Sequence, residues 1–302
     1  MALRRFRAVP ASGQRYGLAE GPVWDGPRNR VLWVDINAGT VHAGALSGER
    51  VSDDVVLRMP ETVGAVLCSA AGELLIAGAH RMYTVALDGS VTDGPQIIPD
   101  GQASRLNDAG TDPAGRCLVG SMALDDRRRQ EVLVRLDAGG SVTVLDDDLG
   151  LSNGLAFTPE GTRMYSIDTT PKIVWIRDYN VDDGAVGHRQ EFLRFTRGSP
   201  DGMCLDTFGN LWIAIWGAGE VRCYSPAGEY LAIIDLSAPN TSSVAFVGPS
   251  LETLLITTAS EQLSAAQLAA YPDSGRLFTA DVGVCGLPVT PWERTQGGVD
   301  GP

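Results

Sequence analysis

Short apolar runs bounded by Gly, Pro, Asp or Asn recur along this chain at nearly one spacing. Aligning Val31-Leu32-Trp33-Val34, Leu74-Leu75-Ile76, Cys117-Leu118-Val119, Met164-Tyr165-Ser166, Leu211-Trp212-Ile213 and Leu254-Leu255-Ile256 brings Trp33, Leu75, Leu118, Tyr165, Trp212 and Leu255 into register. Successive separations are 42, 43, 47, 47 and 43 residues. A period of roughly 40 to 50 residues built from short β-rich runs marks the blades of a propeller, whereas helical solenoids of similar period space their apolar residues by three and four. The helical spacing is missing here. Turn-forming groups such as Asp25-Gly26-Pro27, Pro113-Ala114-Gly115, Pro159-Glu160-Gly161 and Phe208-Gly209-Asn210 precede the cores, as tight antiparallel hairpins require. The pattern predicts an all-β fold, a six-bladed β-propeller. Repeats that run the length of the chain make residues 1–302 one domain, although length alone would allow about two.

Upstream of each core lies a second recurring element, led in turn by Glu20, Val63, Asn107, Asn153, Asp201 and Ser242. These lead residues precede their core markers by 13, 12, 11, 12, 11 and 13 residues. Small and apolar residues with an early Gly fit the innermost strand of a blade, where backbones approach closely near the axis. Equivalent residues then ring a central channel. Glu20, Asn107, Asn153 and Asp201 should converge there, although 181 residues separate the first from the last.

Four of six equivalent slots carry oxygen-bearing side chains. Asn or Asp before Gly is also an ordinary turn signal, but Glu20 has no special turn value. Two carboxylates, Glu20 and Asp201, would balance a divalent cation while Asn153 adds a carbonyl oxygen, so the pattern predicts a central metal site. The three histidines, His42, His80 and His188, all lie away from these slots, which argues against a His-rich zinc centre and puts calcium first among hard cations. Manganese, magnesium, zinc and iron stay open. Arg105 would sit at the channel mouth, where its planar guanidinium could hold a carboxylate or sugar hydroxyls. Asp108, Asp112 and Asp206 read as turn residues, Asp168 as a strand-end cap or a support of the site, and Trp216 as a residue that could reach the rim.

Net charge is -13, which disfavours nucleic acid and anionic membranes, and the short Arg127-Arg128-Arg129 run does not reverse that. Hydrophobic residues make up 44% of the chain, enough for a large core, yet no segment approaches the ~20 apolar residues of a membrane span. The basic start lacks the apolar stretch of a signal peptide, so the expected compartment is the cytoplasm. Five scattered cysteines read as buried thiols rather than disulfides. Residues 1–15 are expected to lend a strand to the last blade and so remove an exposed edge.

Leu18-Ala19-Glu20-Gly21-Pro22-Val23-Trp24, Arg105-Leu106-Asn107-Asp108, Leu151-Ser152-Asn153-Gly154 and Ser199-Pro200-Asp201-Gly202 resemble the SMP-30/gluconolactonase/regucalcin family over nearly the whole chain. The resemblance implies hydrolysis of sugar lactones to aldonic acids at one catalytic divalent metal. It carries the metal ligands onto Glu20, Asn153 and Asp201 and the substrate contacts onto Arg105 and Asn107. A further acidic contact falls near Asp125 or Asp126, where Ala123-Leu124-Asp125-Asp126-Arg127 departs from the family's usual Glu. In this reading the metal polarises the lactone carbonyl and Asp201 activates water. Rival readings are another metal-dependent ester or organophosphate hydrolase, and a metal-dependent propeller that binds a sugar or protein without turnover.

Overall fold

The recurring apolar runs become the second strands of six sheets set around one axis. The structure, a computed structural model, describes residues 3–125 and 127–293. Blade 1 is built from Ala19–Asp25, Arg30–Asp35, Thr40–Gly44 and Asp54–Arg58, and blade 2 from Ala65–Cys68, Leu74–Ala77, Arg81–Val85 and Val91–Gln96. Blade 3 uses Ser104–Thr111, Cys117–Ala123, Glu131–Leu136 and Val142–Leu149; blade 4 uses Ser152–Phe157, Arg163–Asp168, Ile173–Asp178 and Gln190–Arg194. Blade 5 has Ser199–Leu205, Leu211–Trp216, Glu220–Tyr224 and Tyr230–Asp235, and blade 6 has Thr241–Val247, Thr253–Thr258 and Phe278–Asp281. All six predicted markers, Trp33, Leu75, Leu118, Tyr165, Trp212 and Leu255, are buried. They pack in clusters that bridge adjacent blades, as where Trp212 and Ala214 meet Phe246 and Ile256.

The predicted turns are held by buried carboxylates. Asp112 accepts hydrogen bonds from the Ala114 and Arg116 amides, both at 2.9 Å, and from the Tyr179 hydroxyl at 2.5 Å. Asp206 accepts from the Phe208 and Asn210 amides and from the Trp212 indole. In each case one side chain satisfies a hairpin whose amides would otherwise be buried without partners, which explains Asp at these positions. The five cysteines are free thiols; Cys68, Cys117 and Cys223 are buried, while Cys204 and Cys285 are partly exposed.

The chain ends close the ring. Val9–Pro10 pairs antiparallel with Phe278–Thr279 and supplies the fourth strand of blade 6, as expected for the N-terminal segment. Arg4–Arg7 does something the repeat pattern does not reveal: it runs parallel to Ala232–Asp235 and gives blade 5 a fifth strand. At the other end, residues 285–293 form a strap beneath the propeller. Leu287 donates its amide to Leu205, Gly286 to Leu251, Trp292 to Cys68 and Glu293 to Gly115, so the strap crosses from blades 5 and 6 to blades 2 and 3. Among the described residues no helix is long and apolar enough to cross a membrane.

Removing residues 1–10 exposes the edges of two blades and uncovers Phe6 and Ala8 from the blade 5 and 6 core. The truncated protein is expected to lose about 5–10 °C in Tm, given the few kcal/mol such contacts contribute. An unchanged melting curve would remove the closing role assigned to this segment.

Candidate functional site

Inner strands end up lining the axis because their residues are small where neighbours touch. A Cβ on Gly64 would lie 2.4 Å from the Asn107 carbonyl oxygen, one on Gly154 would lie 2.7 Å from the Asp201 carbonyl oxygen, and one on Gly202 would meet Ser243 Oγ at 2.0 Å. Each is far inside van der Waals contact, so these strands pack backbone to backbone only as glycine. A β-bulge accompanies the lead slot in five blades, with register shifts between Glu20 and Val23, Leu106 and Ala109, Asn153 and Leu155, Pro200 and Met203, and Thr241 and Ser243. A bulge re-aims the residue it carries. In blade 1 it is made by Gly21, whose φ of +52° a side chain would strain.

Glu20, Arg105, Asn107, Asn153 and Asp201 all stand on this ring, each less than a tenth exposed. A chain of hydrogen bonds links three blades there. Arg105 Nη1 donates to Asn107 Oδ1 at 2.7 Å, and Asn107 Nδ2 donates to Asn153 Oδ1 at 2.8 Å. Asn153 Nδ2 donates to Thr169 Oγ1 at 2.9 Å, which in turn donates to the Pro200 carbonyl at 2.7 Å, one residue before Asp201. Thr169 thus holds the Asn153 amide with its oxygen toward Asn107. The repeat pattern gave no sign of Thr169, because it lies just beyond the second strand of its blade.

The electrostatics of the ring are unbalanced. Burial and then the charge of Asp108 push the Glu20 carboxyl up to about 8. Asp201 is raised well above the usual carboxylate range, by burial first and Glu20 second. Among the described residues no donor hydrogen-bonds the Asp201 carboxylate, and Glu20 accepts only from the Gly21 amide at 3.0 Å. Arg105 is the cation that opposes both, and its own burial weakens its hold on the proton. Two buried carboxylates short of positive charge, beside an amide oxygen, are the donor chemistry of a hard divalent cation, so Glu20, Asn153 and Asp201 fit such an ion. Among the described residues no three His, Cys, Asp or Glu side chains cluster as a metal site, in keeping with a set of two carboxylates and one amide.

Asp108 does not behave as the turn residue expected from the sequence. It sits within the inner strand Ser104–Thr111, its carboxyl is raised to about 6 by burial, and its charge acts on both Glu20 and Asp201. Beneath it, between the channel and the strap, opens a cavity of about 490 Å³ walled by apolar groups such as Phe157, Met203 and Phe246. Glu261 is a second group missed by the repeat pattern. It is half-buried just after blade 6's second strand, hydrogen-bonded by Asn37 Nδ2, and felt by Arg105, Glu20 and Asp201. Asp125 stands apart from these groups: it is exposed and accepts from the Arg127 amide and guanidinium, at 3.1 and 2.8 Å, rather than from Arg105 or Asn107. Its alternative, Asp126, lies outside the described residues. Asp168 caps its strand end, accepting from the Gly150 and Leu151 amides. Trp216 packs with the cluster around Leu18 and Ala259.

The profile of the SMP-30/Gluconolactonase/LRE-like region matches residues 18–260. A 6-deoxy-6-sulfogluconolactonase of Pseudomonas putida is 36% identical, covering 89% of this chain and 92% of its own. A pentonolactonase of Haloferax volcanii is 32% identical over 90% of this chain and 93% of its own. The crystal structure of a calcium-binding regucalcin from Agrobacterium tumefaciens superposes with a TM-score of 0.90 at 25% identity, over 97% of this chain and all of that one.

Because the folded Glu20 carboxyl holds its proton up to about 8 and an unfolded one only to about 4.3, the folded state binds more protons between those values. Stability of chelator-treated protein should therefore fall as pH rises from about 5 to 8. Calcium, which needs the ionised carboxylates, should raise Tm more at pH 8 than at pH 5.5, and Glu20→Gln should abolish that rise. Equal shifts at both pH values, or a shift kept in Glu20→Gln, would contradict this.

Proposed function

The chain belongs to the SMP-30/gluconolactonase/LRE-like family, and on that footing we propose that it hydrolyses the internal ester of a sugar lactone to the aldonic acid, with one divalent cation, calcium first, as cofactor. Relatives named as a pentonolactonase and a sulfogluconolactonase support the substrate class. The observation that carries the reading is the gathering of two under-compensated carboxylates, two amides and one guanidinium at the axis, a set with no packing purpose that apolar residues would not serve better.

Glu20, Asn153 and Asp201 would hold the cation. When bound, it supplies Lewis-acid polarisation of the lactone carbonyl and stabilises the negative charge that develops on its oxygen. Asp201 acts as the base: its carboxylate accepts from no donor among the described residues and has a raised affinity for protons, so it takes one from the attacking water. Arg105 spends Nη1 on the Leu106 carbonyl and Asn107, which leaves Nε and Nη2 to donate to sugar hydroxyls. Asn107, pinned between Arg105 and Asn153, fixes the angle at which those hydroxyls are met. Breaking the ring ester needs no Ser or Cys nucleophile. Asp125 is left without a part in this reading.

Turnover of gluconolactone, xylonolactone and arabinonolactone above the spontaneous rate, lost with chelator and restored by a single added cation, is the expected result. Silence across this panel with cation bound would overturn the reading. Asp201→Asn should lower kcat by about 10² to 10⁴, the range a positioned base contributes, with the fold intact by circular dichroism. Asn107→Ala should reduce kcat/KM by roughly 10-fold or more while keeping the calcium-induced rise in Tm. Near wild-type turnover in Asp201→Asn would remove its role as base.

A further inference from the structure

Outward from the channel, blades 3 and 4 part around a cavity of about 450 Å³ whose walls carry Arg128, Arg129, Arg189, Arg194 and Trp175. It lies at the channel-mouth end of blade 4. Register pairs Ser152, beside Asn153, with Asp168, then Asp168 with Ile173 and Ile173 with Arg194, so one row of residues runs from the ring to the cavity. Strands spaced about 4.8 Å apart put Ile173 and Arg194 roughly 10 to 14 Å from the inner strand. That distance, with Asp168 and Thr170 standing between, separates the cavity from the place where a lactone ring would sit.

Donors outnumber acceptors in this cavity. Four guanidiniums face two carboxylates, Asp148 and Asp168. Asp148 is shared, accepting from Arg189 Nη2 at 2.5 and 2.6 Å and from Arg129 at 3.2 Å. Asp168 is consumed by the Gly150 and Leu151 amides, and Arg194 is paired with Glu191. Asp146 Oδ1 is 3.2 Å from Arg189 Nη1 but meets it in no hydrogen bond, and its charge is already shared with Arg177. Among the described residues the buried Trp175 indole N–H has no acceptor, while Arg189, ion-paired with Asp146 and Asp148, lies 4.8 Å over the Trp175 ring. Arg128 is exposed and pairs with no described residue. Arg129 has a φ of +58°, in the left-handed region that non-glycine residues adopt mainly in turns. Of the four lining arginines, Arg129, Arg189 and Arg194 are thus ion-paired, and Arg128 is the one without a described partner.

We propose that this cavity is an oxyanion site separate from the lactone channel, taking the phosphate, sulfate or sulfonate group of a small molecule. Guanidiniums supply paired donors that match tetrahedral oxyanions, and Arg128, which pairs with no described residue, is the first to engage one. The site does not depend on the lactonase reading, because no residue of the ring takes part.

Titration calorimetry with sodium sulfate and with glucose 6-phosphate tests it, on the wild-type protein, the doubly substituted Arg128→Gln/Arg129→Gln and the channel variant Arg105→Gln. Saturable binding to the wild type and to Arg105→Gln, weakened at least tenfold in the double variant with lactone turnover kept, is expected. Equal affinity for both probes would assign the site to a free anion, and tighter sugar phosphate to an organic carrier. Binding abolished by Arg105→Gln but kept in the double variant would overturn the proposal in favour of the channel, as would the absence of saturable binding by either probe.

Discussion

Everything at the axis follows from six inner strands having to share it. They come close enough that Gly64, Gly154 and Gly202 admit no side chain against the next blade's inner strand. Regular pleating would alternate side chains into and out of the channel, and bulges at the lead slots break that alternation. The same crowding that forbids a Cβ therefore presents the neighbouring Glu20, Asn153 and Asp201 to a common centre. Backbone packing, rather than loop length, sets the geometry of the site.

The cost of this arrangement is electrostatic. Glu20 and Asp201 both feel the charges of Asp108 and Glu261 as well as that of Arg105, and burial raises each of the four carboxyls toward its neutral form. Elsewhere in the fold, buried acids are quenched by their surroundings: Asp112 and Asp206 are surrounded by amides and hydroxyl or indole donors. His42, bonded to Thr40 Oγ1 at 2.8 Å and to Asp53 at 2.7 Å, copies the partners of a nucleophilic relay, yet Thr40 and His42 are buried and Trp33 stacks on the ring. Such satisfied acids hold blades together, whereas at the axis the Asp201 carboxylate accepts from no donor among the described residues.

The fold was legible because each blade repeats one apolar core, and Trp33 through Leu255 kept their register despite differing residue types. The lead slots were legible for the same reason. Groups outside the repeat were not: Thr169 and Glu261 lie just past second strands, where side chains differ from blade to blade, and nothing in their spacing announces the axis. Asp108 was misread because its position one residue after a lead slot looks like a turn, while the bulge between Leu106 and Ala109 actually leaves it in the channel. Asp125 had only a count from a neighbouring motif behind it, and its carboxylate turns to Arg127. The arginine cavity needs Arg128 and Arg129 to meet Arg189 and Arg194 across two blades, a meeting that no local pattern encodes.

The pairing of Val9–Pro10 with Phe278–Thr279 ties the first stretch of the chain to nearly the last. During synthesis on a ribosome, that early segment waits unpaired until some 270 further residues have emerged, the interval between Val9 and Thr279. Blade 6 itself forms only at the end of that wait, so the unpaired segment stays open meanwhile to the bare blade 6 edge of another copy. Crowded translation of one messenger thus favours exchanged rings, and slow, well-spaced translation favours each chain closing on itself.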